Sequence, residues 1–189
     1  MHSVWAILIV ASLAYLGTMF DNFFAFAAQL VVTERRRYRR VSWGQGLGVA
    51  VLLVLASGVS SLLAPIPTRW IGILAIVPWT FAVYAWRHRK QDRVEQYRRG
   101  AVTTFVVTLA LGGDNLAVWI PLLRATGVAG GLLSSAVFAL WEIVFVLCAQ
   151  ALASHPRVVS WGTRRGPAFV PLVYVALGVL ILLECGTFA

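Results

Sequence analysis

Long apolar runs, separated by short polar and basic segments, dominate the chain. A helix that crosses a bilayer needs about 20 predominantly apolar residues, because the hydrocarbon core is about 30 Å thick. Runs of about this length or longer cover residues 4–32, 43–64, 70–86, 101–123, 128–153 and 167–183. The pattern predicts an all-α integral membrane protein with six transmembrane helices. Because little sequence remains between the runs, residues 1–189 are predicted to form a single membrane domain.

The composition supports this fold class and excludes others. Apolar residues make up 60% of the chain and charged residues 12%, with a mean hydropathy of +0.81. An average soluble domain has about 45 to 50% apolar and about 25% charged residues, and a disordered chain is more polar still. The sequence has no phosphate-binding loop, zinc-protease motif or paired-cysteine motif. We therefore expect neither an enzyme nor a bound cofactor.

The net charge of +9 is concentrated on one side of the predicted bundle. Fourteen of the sixteen Lys and Arg residues fall within residues 34–40, 87–99 and 154–165, and the other two are Arg69 and Arg124. Short loops rich in Lys and Arg stay in the cytoplasm. We expect a multi-pass protein of a bacterial cytoplasmic (inner) membrane with both termini outside. The basic residues then set orientation in the lipid bilayer and need no nucleic-acid partner, while a homo-oligomeric state is left open.

An internal repeat divides the chain into two related halves. The first helix of each half carries one Asp-Asn pair, Asp21-Asn22 and Asp114-Asn115. Because each half has an odd number of crossings, the halves enter the membrane from opposite sides and form two inverted three-helix repeats. The predicted boundaries are 1–86 for the first repeat, 87–100 for a cytoplasmic linker and 101–189 for the second repeat.

Small residues four positions apart open the second helix of each half. They are Gly44 and Gly48 in the first half, and Gly127, Gly131 and Ser135 in the second. Small side chains at this spacing let helix backbones approach closely. We expect both stripes to be helix-packing faces.

Both Asp-Asn pairs are predicted to lie near the middle of the membrane. Asp21 is 11 residues from the cytoplasmic end of its apolar run, which is about 16 Å along a helix. Asp114 is 13 residues from the cytoplasmic end of its apolar run, which is about 20 Å along a helix. An ionisable group at this depth costs at least about 2.5 to 3.5 kcal/mol, so it faces a cavity, a partner or a ligand. Two pairs at one depth favour a shared ligand site. The alternative is a hydrogen-bonded Asp to Asn clamp between the two helices.

The helix around the second pair is predicted to break. Gly112 and Gly113 precede Asp114 and Pro121 follows it, and these residues weaken the helix and free backbone carbonyls. Broken helices of this kind coordinate ions in secondary transporters. In the first helix, only Gly17 offers a comparable weak point.

Four other polar side chains are candidates for a proton-coupling or supporting role. Glu142, about halfway through the fifth helix, is either a proton carrier or a partner for a hydroxyl or indole group. Thr18 and Thr108 lie on the helices that carry the Asp-Asn pairs, where a hydroxyl commonly bonds a carbonyl one turn back. Cys148 is predicted to lie close to the cytoplasmic side of the fifth helix.

These residues resemble the CadD-type cadmium resistance transporters of the LysE superfamily over nearly the whole chain. The most specific match is Gly113-Asp114-Asn115 followed by Ile120-Pro121, which resembles the family's G-x-D-N-x-x-x-x-x-P stretch. The supporting stretches are Gly44-Gln45, Ile66-Pro67, Gly72-Ile73-Leu74, Ile76-Val77-Pro78, Ala149-Gln150, Val173-Tyr174 and Leu177-Gly178.

The resemblance implies a secondary transporter that exports a divalent metal ion, cadmium or a related ion such as zinc. It implies that Asp21 and Asp114 with Asn115 belong to the metal site, and Asn22 is the matching amide of the first pair. Two carboxylates carry a charge of −2, which one divalent ion or two protons neutralise, so the site fits metal/proton antiport with alternating access. Cadmium favours sulfur ligands, so either the site tolerates several divalent ions or Cys148, close to the cytoplasmic side, is an entry ligand.

Three other classes compete with this interpretation. An exporter of a small amino acid or related solute would use the same scaffold. An intramembrane aspartyl protease also needs two membrane Asp residues, but here Phe20 precedes the first Asp in place of Tyr, and the chain has no Pro-Ala-Leu. A structural membrane subunit has no need of carboxylates at the midplane.

Overall fold

The computed structural model describes residues 3–67, 70, 73, 76–87 and 100–184, except the side chains of 21, 81, 84, 85, 163–170, 173, 174, 180 and 184. The described part is helical and contains no strand. Its helices are α1 (Val4–Thr18), α2 (Phe20–Val31), α3 (Tyr38–Leu62), α4 (Ile76–Arg87), α5 (Ala101–Leu111), α6 (Gly113–Ala125), α7 (Gly127–Leu152) and α8 (Pro156–Glu184), with one 3₁₀ turn at Arg35–Arg37.

Two of the predicted spans are broken into pairs of helices. The fourth span bends by 61° between α5 and α6, and its break at Gly112 confirms the prediction. The first span also breaks, at Met19, with a bend of 54° between α1 and Asn22–Val31. Within the described residues, Arg35–Leu62 and Gly127–Leu152 are each long and apolar enough to cross a membrane, and counting each bent pair as one span gives four.

Two local predictions are corrected, and a third lies outside the described residues. The last helix begins at Pro156, so most of the predicted connection 154–165 is helical. Pro121 does not interrupt α6, which continues through it to Ala125. Residues 88–99 of the predicted linker lie outside the described part of the chain.

The packing places polar side chains inside and apolar side chains outside. Large apolar residues are exposed along the outer faces of the helices, as at Leu62, Leu132 and Ile143. In water such a surface would be unfavourable, whereas lipid solvates it at no cost. The buried polar side chains include Thr18, Asn22, Gln29, Thr33, Gln45, Ser60, Thr104, Thr108, Asp114, Asn115, Ser134 and Glu142. Buried polar groups inside an apolar shell are typical of a membrane protein with a polar interior.

Glycines allow the closest helix contact, which is between α3 and α5. A Cβ on Gly44 would collide with the backbone of Ala101, and a Cβ on Gly48 would lie 2.7 Å from the Cβ of Thr108. These contacts confirm the first predicted packing stripe. Gly112 lies against the side chain of Leu52 in the same way, so α3 also fixes the position of the break.

The second predicted stripe is confirmed only in part: a Cβ on Gly131 would lie 3.4 Å from the backbone of Leu123 on α6, but the tighter contacts are one position away. A Cβ on Gly130 would contact Thr126 and Ile7, and Ser134 is completely buried, so these two residues form the packing face of α7. Gly127 has φ +69°, with open space where a side chain would be, and forms the turn into α7. Glycine adopts this left-handed conformation without strain, which explains its use at the turn.

Helix contacts between the two halves follow a reciprocal pattern. Helix α3 packs along both α5 and α6, and α7 packs along both α1 and α2. Helices α4 and α8 pack on each other, and each also contacts the second part of a broken helix, α6 and α2 respectively.

Candidate functional site

The two helix breaks bring the Asp-Asn pairs to the start of α2 and α6. In each case the pair lies in the first turn after the break. The side chains of Asn22, Asp114 and Asn115 are all buried, Asn115 completely. The backbone of Asp21 belongs to the first turn of α2, but its side chain lies outside the described residues.

The thioether of Met19 joins the two breaks. Asn22 Nδ2 lies 3.7 Å from Met19 Sδ, and Asn115 Nδ2 lies 3.4 Å from the same sulfur. Met19 is only 1% exposed. Two amides that are 93 residues apart in sequence therefore point at one buried sulfur. Sequence reasoning missed Met19, and the available signal was its place directly before the first Asp-Asn pair.

Asp114 is held at the N-terminus of α6. Its Oδ1 accepts a hydrogen bond of 2.8 Å from the backbone N–H of Asn115. The positive end of the helix dipole stabilises a carboxylate in this position. The Oδ1 of Asn115, in contrast, is buried and has no hydrogen-bond partner among the residues that the structure describes. Leaving a buried amide oxygen without a hydrogen-bond partner costs about 1 to 3 kcal/mol of stability. Binding of a hydrogen-bond donor or a metal ion to this oxygen would recover that free energy.

An aromatic cluster packs behind this group. Trp119 is buried on α6, stacks on Tyr15 with ring centroids 6.1 Å apart and lies 4.7 Å from Phe138. Its Nε1 donates a 3.2 Å hydrogen bond to Thr18 Oγ1, and that hydroxyl bonds the carbonyl of Ala14 at 2.9 Å. The back-bond confirms the behaviour expected of Thr18. The cluster fixes the end of α1 next to Met19.

Glu142 lies beside the aromatic cluster and interacts with Tyr15. The Tyr15 hydroxyl donates a hydrogen bond to Glu142 Oε2. Both residues are buried, and Glu142 Oε1 has no hydrogen-bond partner among the described residues. A hydroxyl from the first half of the chain is therefore a partner of Glu142, and the proton-carrying role of Glu142 stays a prediction.

A small polar cavity lies between α2, α3 and α5. Asn22, Gln29, Gln45, Thr104 and Thr108 form its polar lining. Gln29 Nε2 donates to Thr104 Oγ1 at 2.7 Å, and the Thr108 hydroxyl lies 2.7 Å from Gln45 Oε1. Gln45 Nε2 is buried and has no hydrogen-bond partner among the described residues. The space in which the centre of a water-sized sphere fits is about 10 Å³.

The remaining candidates do not join this group. Cys148 lies on an exposed face of α7, so the described structure does not bring its thiol to the buried cluster. Among the side chains that the structure describes, no three His, Cys, Asp or Glu residues come together in a way that could hold a metal ion. An ion bound near the breaks would need amide, carbonyl or thioether ligands in addition to carboxylates.

Comparison with known proteins gives one match. The family model described as cadmium resistance transporter matches residues 15–189 of the chain. No curated protein and no solved structure matches it.

Proposed function

Because the chain belongs to the cadmium resistance transporter family, we propose that it exports a divalent heavy-metal cation, cadmium or a related ion, in exchange for protons. The observation that carries this proposal is the meeting of two broken helices at Met19, each followed directly by an Asp-Asn pair. The proposed metal ligands are Asp21, Asn22, Asp114 and Asn115. Their residue types supply hard oxygen donors and up to two negative charges inside the apolar shell.

Charge balance supports exchange of the ion for protons. Two ionised carboxylates and one divalent ion are neutral together, and the same carboxylates are neutral again with two protons bound. Neither state leaves an uncompensated charge in the low-dielectric interior, where one would be costly. Such a carrier changes between its inward-open and outward-open conformations only when the bound site has no net charge.

We also propose that the fold is an inverted repeat of two three-helix units with the ion site between them. The reciprocal helix contacts support this inverted repeat. In the first half, α3 packs on α5 and α6 of the second half, and in the second half α7 packs on α1 and α2 of the first half. Arg124 bonds the carbonyls of Leu63 and Ala64, which brings the ends of α6 and α3 to one side. Gln150 bonds Ser42, which brings the end of α7 to the start of α3. Alternating access by movement of one repeat against the other follows from this arrangement.

The polar cavity lies beside Asn22, one of the proposed metal ligands. Its polar lining continues for about two helical turns from Asn22 to Gln29. We propose that this cavity is part of the cytoplasmic access path to the site.

Glu142 is proposed as a second proton-binding group. It is buried against Tyr15, which stacks on Trp119 of the helix that carries Asp114. A change of protonation at Glu142 would therefore alter the packing next to the metal site.

Substitution of Asp114 tests the proposed function. Asp114→Asn keeps the shape of the side chain and removes its charge, so we expect cadmium efflux to be abolished while the inserted protein remains folded. The assay is uptake of cadmium into inverted vesicles with and without a pH gradient. The matched control is Glu34→Gln, because it makes the same chemical change on a carboxylate that is exposed and paired with Arg36.

The control variant is expected to transport normally. Normal efflux by Asp114→Asn, at wild-type levels of inserted protein, would contradict the proposed metal site. Asp21→Asn is expected to behave as Asp114→Asn does. An amino acid that stabilises the purified protein against heat, with no effect of any divalent ion, would favour the amino-acid exporter instead.

A further inference from the structure

The sulfur of Met19 occupies the one point on which amides from both broken helices converge. Met19 lies between the end of α1 at Thr18 and the start of α2 at Phe20, and its side chain is almost completely buried. A methionine at a helix break is usually explained by packing alone, because its flexible side chain fills irregular space. Packing does not account for the two amide groups directed at its sulfur at 3.4 and 3.7 Å.

The hydrogen bonding around this sulfur is poorly matched. A thioether is a weak acceptor, and an amide N–H inside a protein ordinarily finds a carbonyl, hydroxyl or carboxylate oxygen. Here Asn115 directs its Nδ2 at Met19, while its Oδ1 is buried and has no hydrogen-bond partner among the described residues. Rotation of the amide by half a turn would direct Oδ1 toward the sulfur. A cation bound beside the sulfur could then be coordinated by a lone pair of Oδ1 and a lone pair of the thioether.

We propose that Met19 Sδ is a direct ligand of the exported ion and gives the site its preference for soft metals. This inference rests on the proposed function and adds a specificity-determining residue to it. Carboxylate and amide oxygens are hard ligands that suit hard divalent ions, whereas a thioether contributes more to the binding of soft ions. The sulfur that cadmium favours therefore comes from Met19, inside the cluster, and Cys148 on the exposed face of α7 is not needed.

The first test compares a soft and a hard ion on the same variant. Met19→Leu keeps an apolar side chain of similar volume and removes the sulfur. We expect the affinity of the purified protein for Cd²⁺ to fall about tenfold or more, while the affinity for Mn²⁺ stays within about twofold. Each ion is titrated by calorimetry, and Mn²⁺ serves as the internal control for folding of the site.

The second test needs no amino-acid substitution at the site. The chain has two methionines, Met1 and Met19, so selenomethionine labelling places selenium at the proposed ligand and at the N-terminus only. X-ray absorption at the selenium edge, with Cd²⁺ bound, should show a cadmium neighbour. The labelled Met19→Leu protein, which keeps selenium at Met1 alone, should lack that signal.

The outcomes separate this inference from the proposed function. Unchanged Cd²⁺ affinity in Met19→Leu, or a selenium spectrum without cadmium in the wild-type protein that binds it, would overturn sulfur ligation and leave metal export intact. No binding of any divalent ion by the wild-type protein would overturn the proposed function itself. Loss of both Cd²⁺ and Mn²⁺ binding in Met19→Leu, with no cadmium neighbour at selenium, would reduce Met19 to a packing residue.

Discussion

The contact between Tyr15 and Glu142 joins the two halves of the chain, and its free energy can be measured. We consider Tyr15→Phe, which removes only the hydroxyl, and Glu142→Leu, which replaces the carboxyl group by an apolar side chain. Tyr15 is completely buried, and Glu142 is 8% exposed. Since Glu142 Oε1 already has no partner, loss of the hydroxyl leaves a buried carboxyl group with no hydrogen bond from the described residues.

The expected coupling lies near the upper limit for membrane proteins. Side-chain hydrogen bonds between membrane helices contribute about 0.6 kcal/mol on average and up to about 1.7 kcal/mol. Hydrogen bonds that involve a charged group contribute about 1.5 to 3 kcal/mol in soluble proteins. Because the carboxyl group has so little alternative solvation, we expect a coupling free energy of about 1.5 kcal/mol between Tyr15 and Glu142.

A double-mutant cycle on the free energy of unfolding measures this value. The wild-type protein, both single variants and the double variant are unfolded in mixed detergent micelles under reversible conditions. We expect Tyr15→Phe to destabilise the wild-type protein but to have little effect once Glu142 is Leu. Additive effects within about 0.5 kcal/mol would mean that the two side chains do not interact, and would remove the structural basis for the role proposed for Glu142.

Three further predictions concern packing, proton competition and orientation. Gly44→Ala should destabilise the protein by about 1 to 3 kcal/mol, because its Cβ would collide with the backbone of α5. The matched control Gly46→Ala, with open space at the Cβ, should be neutral or stabilising in the same unfolding assay. The affinity for Cd²⁺ should fall as the pH is lowered, because protons compete for Asp114 and its partner carboxylate. Calorimetry in two buffers should accordingly detect proton release, and none between pH 5.5 and 8 would contradict antiport through these groups. A reporter fused after Arg40 should be cytoplasmic and one at the C-terminus external, and a cytoplasmic C-terminus would contradict the inverted repeat.

Several features of the fold could be predicted because they depend on local sequence. The break at Gly112 follows from consecutive glycines, which lower helix stability wherever they occur. The packing role of Gly44 and Gly48 follows from their spacing on one helix face. The break in the first helix was less evident, because Gly17 is the only glycine near it, whereas the fourth helix has two consecutive glycines. Similarly, the choice of Gly130 over Gly131 depends on the direction from which α1 approaches α7.

The sequence by itself determined that this is a helical membrane protein, that each half of the chain carries one Asp-Asn pair, and that it belongs to the cadmium resistance transporter family. These properties follow from hydropathy and from short motifs, which are local. Only the tertiary structure decided that both Asn side chains meet at Met19, that Tyr15 binds Glu142, and that Cys148 lies on an exposed face. The contacts of Met19 with Asn115 and of Tyr15 with Glu142 join residues about 100 or more positions apart, and the exposure of Cys148 depends on which face of α7 is covered. They are set by the packing of whole helices, which no local pattern encodes.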